Sequence, residues 1–321
     1  MKGKYKIRVE NSFVRFEFEI ERNINIVRGD SGTGKTTLIG MIADYWSQGE
    51  ESGVTLTCKM SCMALSGAGD NWQSILAGVR SSIVFIDEGE KYVRSKEFAR
   101  FIRDSDNYYV IAVRDNLYEL PYSVDAIYEI KKTGKYGKLK KTYNRFNRIY
   151  SGKEADTLLK ANEVLLAEDS KSGFQFFSRV AEEYGMVCKT SNGKGNIVPY
   201  MEDHKEDKIL VIADGAAFGP EMANASNIAD KSVIKLFLPE SFEWLILQSG
   251  LIKDAEIDEI LARPYDYIES SEYFSWEQFF TKLLIDRTQG EISRYSKDKI
   301  SEYYLSGNAV RRILGRFFED V

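Results

Sequence analysis

The chain has 321 residues, enough for two domains, and its 43% hydrophobic and 29% charged residues argue against wholesale disorder. A formal net charge of -5 gives no overall pull toward nucleic acid, and no apolar run is long enough to span a bilayer. One histidine, His204, and three cysteines, Cys58, Cys62 and Cys188, exclude paired-histidine metal centres and zinc patterns, so any divalent ion must sit mainly on oxygen, which favours Mg²⁺ or Mn²⁺.

The basic start, Met1 to Lys6, has no apolar segment behind it and does not read as a signal peptide; with sparse cysteine, the expectation is a cytoplasmic protein. Tyr5–Val9 and Phe13–Ile20 alternate polar and apolar residues and predict strands, and apolar Ile24–Val27 predicts another. Then comes Gly29-Asp30-Ser31-Gly32-Thr33-Gly34-Lys35-Thr36-Thr37, which fits the P-loop pattern G-x-x-x-x-G-K-[ST]. A helix is expected over Thr37–Trp46. In a strand–loop–helix setting the glycines let backbone N–H groups face a phosphate chain, and the helix N-terminus adds partial positive charge. Gly29 to Thr37 are therefore the candidate nucleotide-binding residues. Lys35 would reach the β- and γ-phosphates, and the Thr36 hydroxyl would ligate Mg²⁺.

Gly53–Met60 predicts one strand, and Leu65-Ser66-Gly67-Ala68-Gly69 a turn capping a short helix over Asn71–Val79. Ser82–Ile86 reads as a buried strand ending in Asp87-Glu88. Asp87 would hold the Mg²⁺ shell, and Glu88 would orient and deprotonate the attacking water. A helix over Ser95–Arg103 precedes a buried strand, Tyr108–Val113, which ends at Arg114-Asp115-Asn116. Residues 123–150 predict a closing strand followed by a β-hairpin. From Lys131 to Arg148 run Lys131, Lys132, Lys135, Lys138, Lys140, Lys141, Arg145 and Arg148, with Tyr136, Tyr143 and Phe146 interleaved and no acid. Such a surface could hold nucleic acid through phosphates and stacked bases, or be a solvated hairpin whose lysines discourage edge pairing.

These motifs resemble a compact ABC-type ATPase head: a ribbon before the P-loop strand, then a Walker B-like Asp87-Glu88 about fifty residues on. Leu65-Ser66-Gly67 is similar to the ABC signature Leu-Ser-Gly-Gly-Gln but departs at its last two positions. The resemblance implies ATP and Mg²⁺, and a homo-oligomer or a partner protein joined through this domain. It also implies a γ-phosphate sensor at the end of the strand beside Walker B, for which Arg114 and Asn116 are candidates.

Residues 1–150 form this first expected domain and 151–162 a polar linker. From 163 to 321 the pattern restarts: strand Glu163–Ala167 ending in Glu168-Asp169, helix Gly173–Tyr184 with apolar Phe174, Phe177, Val180 and Ala181, strand Met186–Lys189, the stretch Gly193-Lys194-Gly195-Asn196, and strand Lys208–Ala213 ending at Asp214. This order resembles a Toprim domain as found in overcoming-lysogenisation-defect (OLD) nucleases. The resemblance implies that Glu168 and Asp214 are catalytic and hold Mg²⁺ or Mn²⁺. Asp169 stands where the family usually has Gly, Ser172 where a second acid is usual and Ala216 in place of the second aspartate of Asp-x-Asp; Asp169, Glu240 or Glu243 could compensate. Two-metal phosphodiester chemistry needs several carboxylates converging on ions about 4 Å apart. The remainder, from Phe242, is helical in pattern, with an amphipathic run over Val310–Phe318.

The expected fold is α/β: a P-loop NTPase sandwich followed by a Toprim-like α/β domain with a helical C-terminal part. The implied function is an ATP-regulated, Mg²⁺-dependent nuclease linked to phage defence or mobile elements. The alternative is a nucleotide-switched binding protein whose second domain docks a partner and cuts nothing.

Overall fold

The computed structural model describes residues 1–132, 141–150 and 162–315. The chain divides into two compact units: Met1–Ser151 with Arg263–Phe274, and Gly152–Ala262 with Ser275–Val321. The return of Arg263–Phe274 to the first unit has concrete ties: the Met1 ammonium pairs with Glu269 and hydrogen-bonds Ser270 at 2.9 Å, and the Asn23 amide donates to the Phe274 carbonyl at 3.0 Å.

The strands of the first unit are β1 (Tyr5–Glu10), β2 (Val14–Ile20), β3 (Ile24–Arg28), β4 (Thr55–Thr57), β5 (Ser61–Leu65), β6 (Ser82–Ile86), β7 (Tyr108–Ala112), β8 (Ile127–Lys132) and β9 (Thr142–Arg148). They make one nine-stranded sheet in the order β4-β1-β2-β9-β8-β3-β7-β6-β5. The strands β8, β3, β7, β6 and β5 run parallel, and β1 and β2 form the antiparallel ribbon. Its helices are α1 (Lys35–Gln48), α2 (Trp72–Leu76) and α3 (Lys96–Arg103). Both faces of the central strands are covered, as parallel sheets require. Ile83, Phe85, Tyr108 and Val110 pack with Leu38, Ile39, Met41 and Ile42 of α1. On the other face Tyr109 meets Phe98 of α3 edge-on, with ring centroids 6.0 Å apart.

Two sequence expectations change here. The single strand over Gly53–Met60 is two short strands, because the run switches partners: β4 pairs antiparallel with β1, while β5 pairs in parallel with β6. These are the two edges of the sheet, yet only Cys58–Met60 separates them. Four extended Cα steps span at most about 14 Å, so the sheet curls back on itself around α1. The closing strand and the hairpin after residue 123 are also one feature. β8 pairs in parallel with β3 and antiparallel with β9, so it serves as both.

In the second unit β10 (Val164–Ala167), β11 (Val187–Thr190), β12 (Ile209–Ile212) and β13 (Lys235–Phe237) form an all-parallel sheet in the order β11-β10-β12-β13. The crossovers carry α4 (Ser172–Glu183), α5 (Ile197–Asp203) and α6 (Gly219–Ala229). In α4 the core face is Phe176, Phe177, Val180 and Ala181, whereas Phe174, expected there, is half-buried. Phe176 takes its place because it stands one turn before Val180 and meets Phe242, with ring centroids 5.1 Å apart. Then follow α7 (Phe242–Gln248), α8 (Ala255–Ala262), α9 (Trp276–Arg287), α10 (Glu302–Leu305) and α11 (Gly307–Leu314). The amphipathic run begins earlier than expected, at Gly307, and α11 extends to Leu314, where Gly315 takes a φ of 50°; Arg316–Phe318, the rest of the expected run, lie outside the described residues.

Candidate functional site

In a parallel sheet the C-terminal ends of neighbouring strands share one edge, and ligands of α/β proteins gather there. β7 lies between β3 and β6, so the loops after β3, β6 and β7 meet at that edge. The loop after β3 turns through Gly29, Gly32 and Gly34, whose φ values of 137°, 82° and 103° are left-handed and suit glycine. Thr33 braces the turn, its hydroxyl donating to the Asp30 carbonyl at 3.0 Å. α1 then begins at Lys35 with no side-chain cap, so the first N–H groups of the helix look out of the loop. Asp30, Ser31, Gly32, Thr36 and Thr37 are exposed at its rim.

Lys35 itself is only 4% exposed. Its ammonium folds back over the loop, hydrogen-bonding the Gly29 carbonyl and, at 3.1 Å, the Asp30 carbonyl. It also pairs with Glu88 at 3.5 Å. Glu88 meets a second cation, the Arg114 guanidinium from the end of β7. Asp87 accepts the Glu88 N–H at 2.8 Å, which fixes the turn after β6. Asn116 lies with Arg28 instead: its amide oxygen accepts from Arg28, and its nitrogen donates to the Tyr118 hydroxyl at 3.1 Å. Lys35, Glu88 and Arg114 thus converge, while Asn116 holds Arg28, the last residue of β3 before the glycine loop. A buried ammonium held only by carbonyl oxygens and one carboxylate suits an incoming anion, so a nucleotide phosphate with its Mg²⁺ fits this set. Lys35 would meet the phosphate, and Thr36 and Asp87 would hold the ion.

The Leu65–Gly69 stretch behaves as a turn. Gly67 and Gly69 have φ values of 69° and 51°, and the Ala68 N–H donates at 3.1 Å to the buried Glu90 carboxylate just after β6. Nothing in it copies the last two positions of the Leu-Ser-Gly-Gly-Gln pattern.

The second unit has its own cluster at the C-terminal ends of β10 and β12. A cavity of ≈ 370 Å³ there is lined by, among others, Glu168, Asp214, Glu243, Glu277 and Lys297. Glu168 accepts the Asp214 N–H at 3.1 Å, and Asp214 accepts the Phe242 N–H at 3.2 Å. Burial pushes the Glu168 carboxyl up to about 6, despite the Asp214 N–H that pulls the other way. Burial, then the charges of Glu277, Glu168 and Glu243, raise Asp214 well above its ordinary value. Lys297 answers this charge: its ammonium lies 2.6 Å from Glu277 and 3.8 Å from Glu243. Glu243 also accepts the Tyr295 hydroxyl at 2.8 Å, and that hydroxyl is 2.7 Å from the Ser172 hydroxyl.

Of the expected compensating acids, Asp169 and Glu243 line this cavity. Asp169 is consumed by local structure: its oxygens accept the N–H groups of Ser170, Lys171 and Gly173 at 2.8, 3.0 and 2.8 Å, which starts α4. The backbone of Glu240 pairs with the Ala216 N–H at 3.1 Å. Gly215 has no room for a side chain, since a Cβ there would stand 2.6 Å from the Leu238 carbonyl oxygen. Among the described residues no three His, Cys, Asp or Glu side chains come close enough together to hold a metal ion. Lys297 is set against these carboxylates from the same cavity wall. Glu277, Tyr295 and Lys297 had no sequence signal: they stand in a helical tail with no motif around them.

The basic hairpin is largely neutralised where it is described. Lys131 pairs with Glu129 at 2.7 Å, Lys141 with Glu10 at 2.6 Å and Arg148 with Glu21 at 2.7 Å. Burial raises Glu10, but its bonds to Lys141 and Arg15 prevail and hold it at about 2. Phe146 is partly buried and stacks one face on Phe18, with ring centroids 3.8 Å apart. Lys135, Tyr136, Lys138 and Lys140 lie outside the described residues, as does most of the expected linker at 151–162. Among the described residues no helix is long and apolar enough to cross a membrane. No protein-family model matches the chain, and no curated protein matches its sequence.

Proposed function

We propose that the first unit binds Mg·ATP on the Gly29–Thr37 loop and hydrolyses it with Glu88 as general base. The observation that carries this reading is the meeting of Lys35 and Glu88, 3.5 Å apart, across the ends of β3 and β6. Backbone N–H groups of the loop and Lys35 would bind and orient the phosphates. Bound Mg²⁺, on Thr36 and Asp87, would neutralise charge on the phosphate oxygens. A phosphate chain competes with Glu88 for the Lys35 ammonium and so releases the carboxylate toward water. Arg114, which pairs with Glu88, would stabilise charge developing on the terminal phosphate. On the resemblance to ABC heads, this unit would also join a second copy or a partner protein.

The test is calorimetric titration of the full chain with Mg·ATP. Wild type binds and Lys35→Ala does not; equal affinity in the two proteins contradicts the reading.

For the second unit we propose the binding role over the nuclease role, with the unit acting as a nucleotide-controlled docking domain. The resemblance to OLD nucleases speaks for cleavage at Glu168 and Asp214. The engagement of Asp169 in starting α4, the Lys297 cation and the lack of a three-ligand group among the described residues speak against it. Incubation of plasmid and RNA with Mg²⁺ or Mn²⁺, with and without ATP, separates the two. No cutting is expected; cutting by wild type that Glu168→Ala and Asp214→Ala both abolish restores the nuclease.

A further inference from the structure

The three-residue seam between the edges of the curled sheet is flanked by two cysteines. Cys58 follows β4 directly, and Cys62 is the second residue of β5. Both sulphurs hold the backbone of Met60 between them: the Met60 N–H donates to Cys58 Sγ at 3.5 Å, and the Cys62 S–H donates to the Met60 carbonyl at 3.7 Å. The two sulphurs therefore sit on the N–H and the carbonyl of one and the same residue, four positions apart in the chain. Their surroundings differ. Cys62 is 4% exposed in the core beneath α1, whereas Cys58 is half-buried and open to small reagents.

This asymmetry is what a reacting and a resolving thiol require: one accessible sulphur stabilised as thiolate, one protonated sulphur held against it. The Cys62 S–H, then the Met60 and Lys59 N–H groups, outweigh burial and bring Cys58 down to about 7. Cys62 is pushed up by its bond to Cys58 and by burial. Tyr5, which senses the Cys58 charge, is raised chiefly by its own burial. Cys188, in the second unit, is raised by burial and serves as an internal control.

We propose that Cys58 and Cys62 are a peroxide-reactive thiol pair that closes to a reversible disulfide across the seam. The Cys58 thiolate attacks one oxygen of a hydroperoxide. An S–O bond forms, the O–O bond breaks, and the leaving alkoxide or hydroxide takes a proton. The Cys62 sulphur then attacks Cys58 of the sulfenic acid; the S–S bond forms, the S–O bond breaks, and hydroxide leaves with the Cys62 proton as water. The two sulphurs together lose two electrons, and the peroxide gains them.

The test treats the full chain with a small excess of hydrogen peroxide, alkylates the remaining thiols and maps the peptides by mass. The expected result is a Cys58–Cys62 disulfide that dithiothreitol reverses, with Cys188 still alkylated. In Cys62→Ser, Cys58 is trapped by dimedone as the sulfenic acid. A second measurement needs no variant: at pH 7 iodoacetamide modifies Cys58 on the order of tenfold faster than Cys188, with a rate midpoint at about pH 7. The proposal is overturned if peroxide leaves both thiols free or carries Cys58 to the sulfinic acid without a disulfide. Equal alkylation rates at Cys58 and Cys188 overturn it as well.

Discussion

Lys35 is shared among two loop carbonyls and Glu88, and Glu88 between Lys35 and Arg114; that sharing sets the behaviour of the candidate nucleotide site. Arg114 is the half of the arrangement that a phosphate chain does not need in order to bind. Arg114→Ala is therefore expected to leave Mg·ATP affinity nearly unchanged and to lower kcat by roughly 10²-fold, as loss of one charge-stabilising donor does. Steady-state kinetics beside calorimetry reads the split; a loss of affinity with intact kcat would make Arg114 a binding group. In the second unit the sign of the pH effect follows from Glu168. Its carboxyl titrates near 4.5 when unperturbed and at about 6 in the fold. Between those values the folded state holds the proton more tightly, so this group's stabilising contribution is full below about 4.5 and fades as pH rises toward 6. Urea denaturation across that window should show stability falling with pH, and a flatter profile in Glu168→Gln. These residues differ in legibility. Gly29–Thr37 and Asp87-Glu88 are contiguous motifs, so their spacing alone announces them. Glu277 and Lys297 reach the Glu168–Asp214 cavity, and Tyr295 the Glu243 that lines it, only through tertiary packing, which no local pattern records.

At the scale of elements, the start of α3 was readable, whereas the capped start of α11 after Ser306 was not, its run being expected only from Val310. Ser95 precedes α3, and its hydroxyl accepts the Phe98 N–H at 3.1 Å. Ser95→Ala should cost about 1 kcal/mol in denaturant unfolding, and Ser95→Gly less; an unchanged midpoint would deny the cap. Strand identity in β6 and β7 was equally plain, because a strand buried on both faces is a continuous apolar run. The failures came where one run serves two partners. Nothing between Gly53 and Leu65 says that Thr55–Thr57 pairs with one edge of the sheet and Ser61–Leu65 with the other. Likewise β8 pairs with both β3 and β9, and pairing partners are set by the whole sheet rather than by alternation.

The molecule as a whole joins a nine-stranded mixed sheet to a four-stranded parallel one, and the two units carry different chemistry at their strand ends. The first gathers a glycine loop, a buried lysine and an acid; the second gathers carboxylates of which Lys297 pairs Glu277 and Glu243. The α/β class was legible, as was the renewal of the strand–helix pattern after residue 163. The return of Arg263–Phe274 to the first unit was not, because those residues carry no motif and are fixed by Met1, Gly3 and Asn23 far back in the chain. If the first unit holds nucleotide, Mg·ATP at about 100 times its Kd should stabilise the native state by about 2.7 kcal/mol. Thermal unfolding should show that gain in wild type and lose it in Lys35→Ala.

The central claim is that Glu88 turns a phosphate cradle into an ATPase. Phosphate release from Mg·ATP by wild type and Glu88→Gln, measured beside ATP binding, tests it most directly. The account predicts that Glu88→Gln binds ATP as wild type does and loses turnover by about 10²- to 10⁴-fold. Turnover in Glu88→Gln equal to that of wild type would contradict it.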